Sequence, residues 1–296
     1  MPVTEIFGIP VAVILGQLML GLVNGSFYAL LSLGLAVIFG LMGIVNFAHG
    51  AFYALGAFAA LLGMKWFGIN YWAALLLAPL AVGLFGIVVE RLLLRHLYRL
   101  DPLYGLLLTF GLALVIEGSL HQLFGASGHS YSVPRQLAGA VNLGFMILPI
   151  YRAWVIVVSV LVCFGTWFVI ECTRLGSTLR AATENAPLLQ AFGVNVPLLV
   201  VATYGGGVAL AALAGVLSAP VVLVAPLMGN SLVIVVFAVV VIGGMGSILG
   251  AIVSGLALGL IEGFTKVIYP EASNIVVFVI MALVLVLRPA GLFGKE

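Results

Sequence analysis

The chain has 296 residues, of which 64% are apolar and only 7% charged, with a mean hydropathy of +1.34 and a net charge of +2. A soluble domain carries roughly a quarter charged residues, which excludes water as the main solvent. The small, scattered positive charge excludes a nucleic-acid groove.

The opening MPVTEIFGIP has no basic stretch and its first charge is Glu5, so the first span is expected to act as its own insertion signal. Apolar runs follow over 9–63, 71–94, 103–124, 150–170, 197–264 and 274–287. A helix needs about twenty residues to cross a hydrocarbon core of roughly 30 Å, so the first run holds about two or three helices and the fifth about three. The expected fold is all-α: one transmembrane domain over 1–296, with about eight to ten spans, nine or ten by this count. A closed β-barrel needs alternating polarity, which stretches such as Val155 to Phe168 lack.

Arg91, Arg95 and Arg99 share one connection, Arg174 and Arg180 a second, and Arg288 and Lys295 close the chain. The positive-inside rule puts all three on the cytoplasmic side and leaves Lys65, Arg135, Arg152 and Lys266 outside. Cys163 and Cys172 fall on one apolar helix, roughly 13 Å apart by helical rise. That is too far for a disulfide, no companions suggest a metal site, and both read as buried structural residues.

Many of the 37 glycines are four apart, as in Gly21 and Gly25, Gly246 and Gly250, and Gly255, Gly259 and Gly263. One reading is close helix packing in lipid. The other is broken helices lining a solute path, for which Gly205-Gly206-Gly207 and Gly243-Gly244 are suited. Glu117 with His121, and Glu262 with Lys266, sit at i,i+4 near outer helix ends, where they serve either as local pairs or as an ion relay. The scattered histidines 49, 96, 121 and 129 argue against an intramembrane enzyme or metal cluster. No phosphate-binding G-x-x-x-x-G-K-[ST] occurs, so energy from ATP has to come from another subunit.

The segment 173–195, TRLGSTLRAATENAPLLQAFGVN, is the longest cytoplasmic connection. Pro187 disfavours helix at Ala186 yet suits the first turn of a new helix, and Gly193 suits a helix end, so two short helices at an angle are expected. Leu188, Leu189 and Phe192 would face the aqueous side, either for a partner's groove or to fold back on the bundle.

The run RLGSTLRAATEN followed by GVN resembles the coupling loop of ABC permeases, in particular the LivH-type branched-chain amino acid family. Three further blocks agree: GSFYALLSLGLAVIFGLMGIVNFAHG near the start, VIGGMGSILGA at Val241 to Ala251, and RPAGLFG at the end. The similarity spans nearly the whole chain. It implies a multi-pass permease in a bacterial or archaeal inner membrane, paired with a second, related permease subunit. Two cytoplasmic ATPase subunits would use the ATP, an extracytoplasmic solute-binding protein would deliver the solute, and this chain would bind no cofactor.

By the same resemblance, Arg180, Ala181, Glu184 and Gly193 are coupling positions, and the Arg-then-Glu order favours contacts with the partner over an intrahelical pair. Asn46, His49 and Gly50 of the NFAHG block, with Gly243 and Gly244, are the expected substrate path. There the helix would break and present backbone polar groups to a zwitterion. His49 has the alternative of a satisfied buried side chain. Relatives often place an acid after this glycine, where this chain has Ala51. Branched-chain amino acids are the expected solutes, with urea, short amides or other amino acids, or ion-coupled secondary transport, as the alternatives.

Overall fold

The protein, as a computed structural model, is described over residues 5–6, 9–98 and 100–294; Arg99 and Lys295, used above for orientation, lie outside the described residues. In chain order the helices are α1 (Val11–Met42), α2 (His49–Phe67), α3 (Tyr71–Leu92), α4 (Pro102–Phe124), α5 (Ile150–Cys172), α6 (Arg174–Ala191), α7 (Val196–Ser218), α8 (Asn230–Gly243), α9 (Ile248–Ile268) and α10 (Val276–Leu287). Strand is confined, among the described residues, to two short antiparallel hairpins. They are β1 (Glu5–Ile6) with β2 (Ile9–Pro10), and β3 (Ala140–Asn142) with β4 (Ile147–Pro149).

Among the described residues, seven helices are long and apolar enough to cross a membrane. α8 and α10, with 14 and 12 residues, reach only about 21 and 18 Å by helical rise. The first apolar run resolves into two helices and the fifth into three, of which the middle one is short. Half of the ten helix starts described carry a capping side chain that satisfies an otherwise orphaned backbone N–H, Thr173 of α6 among them. Asn70 accepts from Ala73, Asp101 from Leu103, Asn195 from Leu198 and Ser247 from Gly250.

α1 is the axis of the bundle. Its 32 residues span about 48 Å, and it packs on α5, α7, α8 and α9. Against α9 the contact is backbone to backbone: a Cβ on Gly25 would sit 3.1 Å from the Gly255 carbonyl oxygen. The packing reading of the spaced glycines therefore holds at this seam, where close approach replaces the missing hydrophobic drive. It also holds for Gly205 and Gly207, which lie in an unbroken α7 against α3 and α1. α4, α5 and α10 are peripheral, with Leu107, Leu114, Leu161, Phe164, Val279 and Leu283 facing outward.

α1 and α3 end, and α7 and α9 begin, at one end of the bundle, where Arg91, Arg95 and Arg180 also lie. The segment after α10 returns to this end, with Leu292 N donating to Ile242 O at 2.8 Å. The opposite end holds the β3–β4 hairpin and the loop bridge between His129 and Val224. Cys163 is buried as expected, whereas Cys172, at the last turn of α5, is exposed. It falls where the chain leaves the bundle, so nothing packs over it.

Candidate solute path and coupling segment

Between Met42 and His49 the chain abandons helix. Gly43, at φ +63°, ends α1, and 43–48 turns back alongside it. His49 Nε2 lies 2.9 Å from the Leu31 carbonyl oxygen. Leu31 precedes the end of α1 by about 16 Å of helical rise, so α2 starts about that far in from the end of α1, inside the bundle.

Irregular backbone at that depth survives only if protein satisfies it. Ala48 N donates to Asn46 Oδ1 at 3.1 Å, and Phe47 N donates to Thr109 Oγ1 at 3.2 Å. Asn46 Nδ2 donates to Tyr204 Oη at 3.3 Å. Asn46, His49, Thr109 and Tyr204 are all buried. The His49 ring is tied to α1 through Nε2, while Nδ1 is buried with no hydrogen-bond partner among the described residues.

α8 also begins away from either end of the bundle, beside the start of α2. Beyond α7, residues 219–229 are irregular, held at the far end by reciprocal 2.8 Å bonds between His129 and Val224. The chain then dips to Gly229, where a Cβ added to Gly50 would lie 2.7 Å from the Gly229 carbonyl oxygen. Two helices thus start side by side, the 19-residue α2 running toward the far end and the short α8 toward the basic end. Their free N–H groups and aligned dipoles give the junction positive potential. Glu117 of α4 is buried beside it, accepting from Asn230 Nδ2 at 3.2 Å.

That bond corrects the expected pairing of Glu117 with His121, which is exposed; the start of α8 offers the carboxylate a nearer donor. Glu262 does pair with Lys266, and Tyr28 Oη adds a bond to it at 2.7 Å. Gly229 and Asn230 were missed in the sequence, although Pro220, Pro226 and Gly229 interrupt the apolar run there. Asn46, His49 and Gly50 come together; Gly243 and Gly244 do not join them. They close the other end of α8, where Gly244 turns at φ +99° and Phe293 N donates to Gly243 O at 3.1 Å.

The segment 173–195 forms two helices joined at a kink. Asn185 leaves helical geometry at φ −152°, ψ 84°, and its Oδ1 accepts from Leu188 N at 3.0 Å, capping the second helix. Gly193, at φ +83°, ends it. Leu188 and Phe192 are 54% and 77% exposed, whereas Leu189 is half-buried.

Arg180 folds back on its own bundle, donating to Glu171 Oε2 at 3.0 Å and to the Ile170 carbonyl at 3.2 Å. This differs from the expected turn toward a partner, because the tight corner between α5 and α6 brings the end of α5 within its reach. Glu184 is exposed and in no ion pair among the described residues, and Ala181 is half-buried.

The family model for the branched-chain amino acid transport system / permease component matches residues 17–285. BraD, a high-affinity branched-chain amino acid transport system permease protein of Pseudomonas aeruginosa, is 31% identical, covering 95% of this chain and 96% of its own length. LivH of Salmonella typhimurium is 27% identical over the same shares, and the probable LivH of Methanocaldococcus jannaschii is 25% identical over 93% of this chain and 91% of its own. No solved structure matches the chain significantly. A match covering nearly all of α1 to α10 is carried by the whole bundle rather than one motif, and the chain belongs to the branched-chain amino acid transport system permease component family.

Proposed function

We propose that this chain is one membrane-spanning subunit of an ATP-driven importer in a bacterial or archaeal inner membrane, carrying branched-chain or similar amino acids. It would work beside a second, related permease subunit, two cytoplasmic ATPase subunits and an extracytoplasmic solute-binding protein. The observation that carries this reading is α6, a kinked helical pair at the basic end with Leu188 and Phe192 open to solvent. Exposed apolar groups on a short helix fit a protein partner's groove.

In this mechanism the ATPase dimer closes on ATP and drags α6, and the bundle alternates between outward and inward access. Asn46, His49 and Gly50, with Glu117 and Asn230, are assigned to the solute path. The two helix N-termini favour a carboxylate, and the buried Glu117 suits an ammonium group. Asn230 is exposed on the side of the bundle, so the path would run between this chain and the related permease. No bond of the solute changes.

The test is purification of the assembled transporter carrying Glu184→Lys or Phe192→Asp. Weakened ATPase association, or hydrolysis no longer tied to uptake, is expected. Unchanged assembly, hydrolysis and uptake in both variants would count against the reading.

A further inference from the structure

A cavity of about 740 Å³ opens at the basic end, between the ends of α1 and α3 on one wall and α6 with the start of α7 on the other. Its size falls within the usual range for small-molecule sites, roughly 300–1,000 Å³. Glu90 lines it from α3 and is 2% exposed. One carboxylate oxygen, Oε1, accepts from Tyr98 Oη at 2.5 Å; the other, Oε2, is buried and has no hydrogen-bond partner among the described residues. Burial, and then the bond to Glu90, raise the Tyr98 phenol far above its usual range, so it remains a donor at any physiological pH.

An unpartnered buried carboxylate oxygen is costly unless something donates to it. Arg91 and Arg95 also line the cavity, yet neither forms an ion pair with Glu90 among the described residues. Two positive charges beside an unpartnered acid suit neither a bare cation nor a simple anion. They suit a molecule carrying an ammonium and a carboxylate at once. Leu41, Met42, Val200 and Val201 supply apolar wall for its side chain.

We propose that this cavity is a cytoplasmic binding site for a free apolar amino acid. Its ammonium group donates to Glu90 Oε2 and its carboxylate meets Arg91 and Arg95. Because Ala182 and Ala186 of α6 form the facing wall, an occupant ties the coupling segment to the bundle. Accumulated amino acid inside the cell thereby slows the transport cycle. The proposal rests on α6 being the coupling segment.

The test uses the assembled transporter with both permeases and the ATPase subunits, without the solute-binding protein. Binding of radiolabelled L-leucine is compared with that of 4-methylpentanoate, which lacks the amine, and isopentylamine, which lacks the carboxylate. Glu90→Gln should weaken leucine and isopentylamine at least tenfold and spare 4-methylpentanoate. Arg91→Ala with Arg95→Ala should do the reverse for the two analogues.

Tyr98→Phe, which keeps the carboxylate, should retain leucine binding within about threefold, separating loss of the acid from loss of folding. Leucine on the ATPase side should lower ATP hydrolysis in the unaltered complex and not in Glu90→Gln. Equal leucine binding with and without Glu90, or binding abolished by Asn46→Ala alone, overturns the proposal by placing the ligand elsewhere. Failure of the coupling reading is visible separately, as a missing ATPase subunit before leucine is added, and it overturns both.

Discussion

At position 50 a single methyl group decides whether the starts of α2 and α8 can meet. A Cβ there would lie 2.7 Å from the Gly229 carbonyl oxygen and 3.1 Å from Val233, so the Gly229 backbone and the Val233 side chain would both have to shift. Overpacking of this kind costs on the order of 1–3 kcal/mol. Gly50→Val should lower the thermal stability of the purified transporter and abolish uptake. Gly111→Ala on α4, where nothing lies within 4 Å, should leave both within error.

The contrast was not legible in the sequence, because both positions are glycines in apolar helices. Asn46, His49 and Gly50 were legible as a unit, since NFAHG places polar groups where apolar spans meet. Their partners were not. Leu31, Thr109, Tyr204 and Gly229 lie on other helices, and one sequence does not say which distant residues touch.

On the scale of elements, α6 and α8 show opposite sides of the same lesson. The kink in α6 could be read ahead of the structure, since Pro187 restricts the residue before it and Gly193 ends a helix. It falls at Asn185 rather than Ala186, because the Asn185 side chain caps the following turn. Asn185→Ala should cost about 1 kcal/mol through the lost cap. Hydrogen exchange should rise at 186–192 and not at 174–183; uniform protection across both halves would show that the cap is dispensable.

Arg180 with Glu171 is a surface pair, with side chains 46% and 44% exposed, and such pairs are worth roughly 0.2–1 kcal/mol. Arg180→Ala should leave the melting temperature nearly unchanged while altering the ATP hydrolysed per solute moved. A large loss of stability would mean that the pair anchors the fold instead. The shortness of α8 was hidden, because its apolar composition is the same for a half-span as for a full one. Only the prolines and glycine before it hinted that the chain enters the interior partway.

For the whole molecule, composition alone settled the solvent, and the basic connections settled which ends belong together. The structure gathers Arg91, Arg95 and Arg180 at one end of the bundle with the return of the C-terminal segment. The bundle is held by glycine-mediated contact along α1, α7 and α9. Its outer helices present exposed apolar faces. Every step of the proposed cycle requires the kinked α6 to face the cytoplasm, where ATP is.

Phe192→Cys in a Cys172→Ser background tests this directly, since Cys163 is buried. A membrane-impermeant thiol reagent applied to inverted vesicles should label Cys at 192, and the same reagent on intact cells should not. Labelling from outside intact cells would contradict the account at its root.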